Sequence, residues 1–180
     1  IASMGNVAAS GGYWVAMAGD KVFAEPGTIT GSIGVFGVLP TFEKSLAKLG
    51  VTADGVGTTP LSGQPDLLRG TNAATNQLFQ AGVEDVYRRF TGLVAAQRKL
   101  PLTKVMEIAE GRVWDGGSAR QLGLVDAFGS LEDAISEAAK RAKLSGRDAR
   151  PVYLDRMPNW FELYAEGLMG SEARAPIDPY

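Results

Sequence analysis

Ser10 is the residue whose surroundings fit covalent chemistry. It lies between Ala8-Ala9 and Gly11-Gly12, and the apolar run Tyr13-Trp14-Val15-Ala16-Met17-Ala18 follows at once. A compact turn running into a buried helix would put Ser10 at the helix N-terminus, where backbone N–H groups lack intrahelical partners and the dipole favours developing negative charge. Gly11 and Gly12 would let a substrate carbonyl approach the backbone closely, as an oxyanion site requires. A serine N-cap in a tight packing turn would need the same residue types. Spacing alone leaves both readings open.

The chain contains no histidine and no cysteine. Their absence excludes, within this chain, a Ser-His-Asp triad, a Cys-His dyad, thiol catalysis, disulfides and zinc–thiolate sites. A nucleophilic serine would need another base, and a lysine whose charged form is disfavoured by burial is the usual one. Lys44, Lys48, Lys140 and Lys143 fall among polar neighbours on expected helices, while Lys99 and Lys104 flank a helix break. Lys21 opens an expected edge strand beside Asp20. None of them reads as a buried amine.

Other chemistries find less support. A net charge of −2 and the lack of any Lys/Arg cluster argue against a nucleic-acid partner. No metal-ligand cluster is visible, so neither a metal nor an organic cofactor is expected. Gly31, Gly34 and Gly37 recur at every third position, which is not the G-x-G-x-x-G fingerprint, and no Gly-Lys-Ser/Thr follows. They fit a bulged strand, or a wall on which backbone and substrate meet.

These residues must be positioned by elements that the pattern predicts in alternation. With 180 residues, 45% of them hydrophobic, the chain can bury one ordinary core. Strands are expected at 1–4, at 22–24, within 28–38, weakly at 51–56, at 112–114 and at 152–154. Helices are expected after Ser10, at 41–49 with Thr41 as cap, at 73–99 ended by Pro101, at 103–109 capped by Thr103, at 119–122 and at 130–143. Phe79, Val83, Val86, Phe90, Leu93 and Val94 form one apolar stripe along the long helix, read as core. Ser130-Leu-Glu-Asp133 has the form of a capping box with Asp in the Glu/Gln position. Residues 57–71 read as a surface loop, 158–169 as an amphipathic helix, and the tail after Gly170 as disordered. No apolar run reaches the about 20 residues of a membrane span. The class is α/β. Ile1 falls inside a strand, so the chain is expected to be part of a longer polypeptide.

The string Ser3-Met-Gly-Asn-Val-Ala-Ala-Ser-Gly-Gly-Tyr-Trp14 resembles the nucleophile segment of the signal peptide peptidase A family, membrane-associated Ser-Lys proteases of the crotonase/Clp-protease superfamily. Thr28-Ile-Thr-Gly-Ser-Ile-Gly-Val35, Gly111-Arg-Val-Trp-Asp-Gly116 and Gly123-Leu-Val-Asp126 agree in the same order, so the resemblance covers about residues 1–140. It implies a crotonase/Clp-protease-like fold of repeated ββα units, although no internal sequence repeat is visible. It implies Ser10 as nucleophile and Ser32 as the hydroxyl that orients a lysine. Gly11, directly after the nucleophile, is the local candidate for an oxyanion N–H, and Ile33, Val35 and Phe36 are candidates for the side-chain pocket.

The resemblance also bears on the missing base. Short members of that family carry the lysine about fifty residues after the serine, where this chain reads Gly57-Thr-Thr-Pro-Leu-Ser-Gly63. Long members are tandem duplications whose N-terminal half gives the lysine and whose C-terminal half gives the serine. This chain is thus expected to be the C-terminal, nucleophile-bearing half: residues 1–155 a catalytic domain truncated at its N-terminal side, 156–180 a C-terminal helix and disordered tail. The expected partners are hydrophobic signal-peptide remnants, the N-terminal half of the same polypeptide, and further copies in a homo-oligomer. The implied location is a bacterial inner membrane, with the domain facing the periplasm and the anchor outside this chain. Alternatives are a degenerate binding or scaffold half, and a crotonase-type acyl-CoA enzyme.

Overall fold

Val22-Phe23-Ala24 is buried at all three positions, and the fold is built outward from it. The computed structural model describes residues 1–144 and 150–154. Two compact units divide the chain, Ile1–Leu144 and Ser145–Tyr180. In chain order the elements are β1 (Ala2–Ser3), β2 (Val7–Ala9), α1 (Gly11–Ala16), β3 (Val22–Ala24), β4 (Ile29–Gly31) and α2 (Glu43–Lys48). Then come α3 (Ala73–Arg98), α4 (Leu102–Ile108), β5 (Val113–Asp115), α5 (Gly116–Gln121), β6 (Ala127–Phe128) and α6 (Leu131–Arg141).

The strands form two three-stranded sheets, ordered β1-β3-β6 and β2-β4-β5. β1, β3 and β6 run parallel, as do β2 and β4, while β5 pairs antiparallel with β4. The first strand of each of the first two units joins one sheet and the second strand joins the other. The chain therefore repeats ββα, as expected for a crotonase-like α/β fold. β3 is the central strand of its sheet, buried on both faces as parallel strands usually are. Lys21 therefore opens a central strand, not an edge one.

Tyr13, Met17, Val22, Ile33, Phe90, Val94, Val105 and Leu124 are fully buried and form the heart of the core. Full burial of one such side chain contributes about 1.5–3 kcal/mol. The capping box at Ser130 and Asp133 forms with both of its hydrogen bonds.

Several expectations are corrected. Residues 51–57 have no regular structure: Asp54 turns its carboxylate onto the N–H of Gly55 and competes with strand pairing. α3 ends at Lys99 in the left-handed conformation, two residues before Pro101. Its apolar stripe is core only in its second half. Phe90 and Val94 are buried, whereas Phe79 and Val86 are exposed. α4 begins at Leu102 after Pro101, so Thr103 is not its cap. α5 begins at Gly116 and is capped by Asp115. α2 starts after Phe42, without a cap from Thr41. Among the described residues, Val152–Leu154 forms no strand. The helix expected at 158–169 and the disordered tail lie outside the described residues.

Candidate active site

β2 and β4 run side by side in parallel with Ala9 opposite Gly31, so Ser10 and Ser32 are neighbours just past the carboxyl ends of adjacent strands. Ligands of open α/β sheets bind at such ends. Both serines have positive φ, 53° at Ser10 and 51° at Ser32, a region that non-glycine residues adopt at some cost. Side-chain and main-chain bonds hold them there. Thr30, fully buried, donates through its hydroxyl to Ala8 O at 2.7 Å and so fixes the register of the two strands. The N–H of Ser10 donates to Gly31 O at 2.9 Å, and that of Ser32 to Arg112 O at 2.7 Å.

Ser10 occupies the N-cap position of α1, yet its side chain makes no capping hydrogen bond. Its exposed hydroxyl therefore remains available to a ligand, which removes the plain N-cap reading. A Cβ added to Gly11 would meet nothing within 4 Å, and its φ lies outside the left-handed range. Neither packing nor backbone conformation requires glycine there; its smallness leaves the peptide N–H open to an approaching oxygen.

Both serines and Gly11 line one cavity of about 750 Å³. Trp14, one turn into α1, stacks on Phe90 of α3 with ring centroids 4.7 Å apart. Val35, Phe36, Val83, Val86 and Met106 add further apolar wall. Ile33 does not: it is fully buried in the core. Past the end of β4, the left-handed backbone at Gly31 and Ser32 and the bond from Gly111 N–H to Ile33 O leave Ile33 inside, while Ser32 and Gly34 line the cavity. The α3 residues of the wall were hidden in the sequence because a stripe that lines a cavity has the same period as one that packs in a core.

The far wall is the turn before β5. A Cβ on Gly34 would come 2.6 Å from the backbone nitrogen of Gly111, and Gly111 donates to Ile33 O at 3.0 Å. A Cβ on Gly31, where φ is +76°, would come 2.8 Å from the Trp114 ring. That indole donates to Ile108 O at 3.0 Å. The glycines at 31 and 34 are thus demanded by close approach, and they bring the β5 turn against the two serines.

Behind α1, Tyr13 donates its hydroxyl to Leu124 O at 2.8 Å, and burial pushes its pKa upward. Arg98 grips Asp126 through two bonds, of 2.9 and 2.7 Å, and donates from Nε to Gly123 O. Asp126 also accepts the N–H of Val22 at 2.7 Å. The Arg98 bond, with help from that N–H, holds the Asp126 carboxyl below the usual range. One fork thereby ties α3, the turn under Tyr13 and the start of β3.

No lysine lines the cavity; its charged residues are Glu84 and Glu110. Lys21 pairs with Glu137 at 3.3 Å and lies over the Phe23 ring, and Lys104 pairs with Glu107. Among the described residues no group of His, Cys, Asp and Glu is arranged to hold a metal ion.

Comparison with known proteins gives a consistent family. The model described as peptidase family S49 matches residues 1–145. Protease 4 of Salmonella typhi is 39% identical over 171 residues, 95% of this chain and 27% of that protein. Protease 4 of Haemophilus influenzae is 44% identical over 138 residues, 77% of this chain and 22% of that protein. The chloroplastic serine protease SPPA of Arabidopsis thaliana is 38% identical over 147 residues, 80% of this chain and 21% of that protein. The chain thus spans about a quarter of the length of these relatives.

Proposed function

The chain belongs to peptidase family S49, and from that premise we propose that it is the nucleophile-bearing half of a Ser-Lys endopeptidase acting on hydrophobic peptides such as cleaved signal peptides. The observation that carries the reading is the uncapped Ser10 hydroxyl, beside Ser32 and the open Gly11 N–H in one largely apolar cavity. Ser10 Oγ attacks the scissile carbonyl carbon, and a neutral lysine amine from another part of the polypeptide takes the hydroxyl proton. The Gly11 N–H stabilises the oxyanion. As the tetrahedral species collapses, the lysine ammonium returns the proton to the leaving amine, and water then hydrolyses the acyl-serine by the same route. Ser32 orients the amine, while Val35 and Phe36, with Trp14 backed by the buried Phe90, receive an apolar side chain.

The lysine is assigned to the N-terminal half of a tandem-duplicated chain because none of this chain's own lysines lines the cavity. The same reading sets the enzyme at a bacterial inner membrane, facing the periplasm, as a homo-oligomer. No helix among the described residues is long and apolar enough to cross a membrane, so this part of the reading rests on the family resemblance. The missing lysine also favours a second reading, a degenerate scaffold half that has kept its packing. A fluorophosphonate probe on the full polypeptide separates the two. Covalent labelling at Ser10, lost in Ser10→Ala along with peptide cleavage, supports the protease; an unlabelled, folded protein favours the scaffold.

A further inference from the structure

Glu84 is the charged residue of the cavity left without a counter-ion among the described residues. Its Oε1 accepts a bond from the neutral amide of Gln80 at 2.8 Å. Arg88, one turn further along α3, is the partner that helix spacing would offer it, but Arg88 and Arg89 both pair with Asp85. The other carboxylate of the cavity, Glu110, has Arg112 at 3.6 Å. The cavity therefore carries an apolar body, around Trp14 and Phe90, and an uncompensated negative charge on its α3 wall.

Glu84 lies six residues before Phe90, which at the helical rise is about 9 Å along the axis. An extended peptide covers that distance in about three residues. Resting on the assignment of this cavity to peptide cleavage, we propose that Glu84 selects peptides carrying a lysine or arginine about three residues from the apolar side chain held over Trp14 and Phe90. A cation on the peptide fits this carboxylate better than the catalytic amine does, because a neighbouring carboxylate would keep that amine protonated and oppose its use as a base.

The test is equilibrium binding to the full polypeptide as the Ser10→Ala variant, with each peptide checked to be intact after titration, so that the readout is binding whichever residue is the nucleophile. Synthetic peptides of one leucine-centred apolar sequence, with Lys, Gln or Glu three residues from the leucine, are titrated by calorimetry at low ionic strength. Affinity should fall in the order Lys, Gln, Glu, with about tenfold between the extremes, as expected for gaining one partly exposed ion pair and losing one repulsion. Added salt should shrink the ratio. Glu84→Gln should bring the Lys and Glu peptides within about twofold of each other, and Glu84→Lys should reverse the order. Both changes fall on an exposed helix position, so folding is retained. A ratio that survives Glu84→Gln, a ratio removed by Glu110→Gln instead, or no binding of any of the peptides overturns the proposal. Failure of the probe to label Ser10 in the unmutated protein would sink the nucleophile assignment alone.

Discussion

At the scale of single residues, the two serines differ in what they can be asked to do. Ser10 is exposed at the end of β2, with the open N–H of Gly11 beside it; Ser32 is half-buried at the end of β4. In the proposed mechanism Ser10 forms the bond, and Ser32 holds the base. Ser10→Ala should therefore remove turnover entirely. Ser32→Ala should slow kcat by about 10–100-fold, a part of what positioned proton transfer contributes, and should shift the pH at which the rate rises. Steady-state kinetics of the full polypeptide over a pH series checks this. A Ser32→Ala rate profile that overlays the parent would remove Ser32 from the site.

At the scale of elements, two contacts fix where the serines stand. The turn before β5 can approach the residues after β4 because Gly34 has no side chain to collide with Gly111. Gly34→Ala forces backbone against backbone, and should cost about 1–3 kcal/mol, read from a denaturant midpoint shifted at unchanged slope. The second contact is the Arg98–Asp126 fork, which ties the end of α3 to the residue before β6 and, through the N–H of Val22, to the start of β3. Asp126 has a folded pKa below its unfolded value of about 3.9. Its contribution to stability is thus present above that value and is lost as pH falls through the lower folded pKa. Asp126→Asn should cost about 1–3 kcal/mol at neutral pH, towards the low end because the carboxylate is about one-third exposed. The variant should also lose less stability than the parent between pH 5 and about pH 2. Equal acid sensitivity of the two proteins, measured by urea unfolding, would show that the fork contributes nothing through ionisation.

At the scale of the whole molecule, the proposed mechanism leaves the site chemically incomplete within these residues, because Ser10 lines the cavity and no lysine does. The chain by itself should therefore show negligible peptidase turnover, even when folded. The full polypeptide should show a rate that rises through mildly alkaline pH, with an apparent pKa below the about 10.4 of a free lysine amine. Vigorous cleavage by the chain alone, abolished by changing one of its own lysines, would mean that the base has been assigned to the wrong place.

The sequence by itself determined the local decisions. The small residues around Ser10, the Ser130–Asp133 box, the Val22–Ala24 strand and the long helix after Asn72 are all set by near neighbours, so composition and period reveal them. The absence of histidine bounded the chemistry before any fold was known. Only the tertiary structure decided which side of each element faces what. β2 and β6 carry no run of bulky residues like that of Val22-Phe23, and they exist because a partner strand is already in place. Ile33 and Phe36 are both large apolar residues of one segment, but the way the β5 turn meets the chain past β4 puts one in the core and the other in the cavity. The stripe on α3 carries one period along its length. Whether its residues pack in the core or line a cavity depends on where α1 and α4 end, and that is a property of contacts distant in the chain.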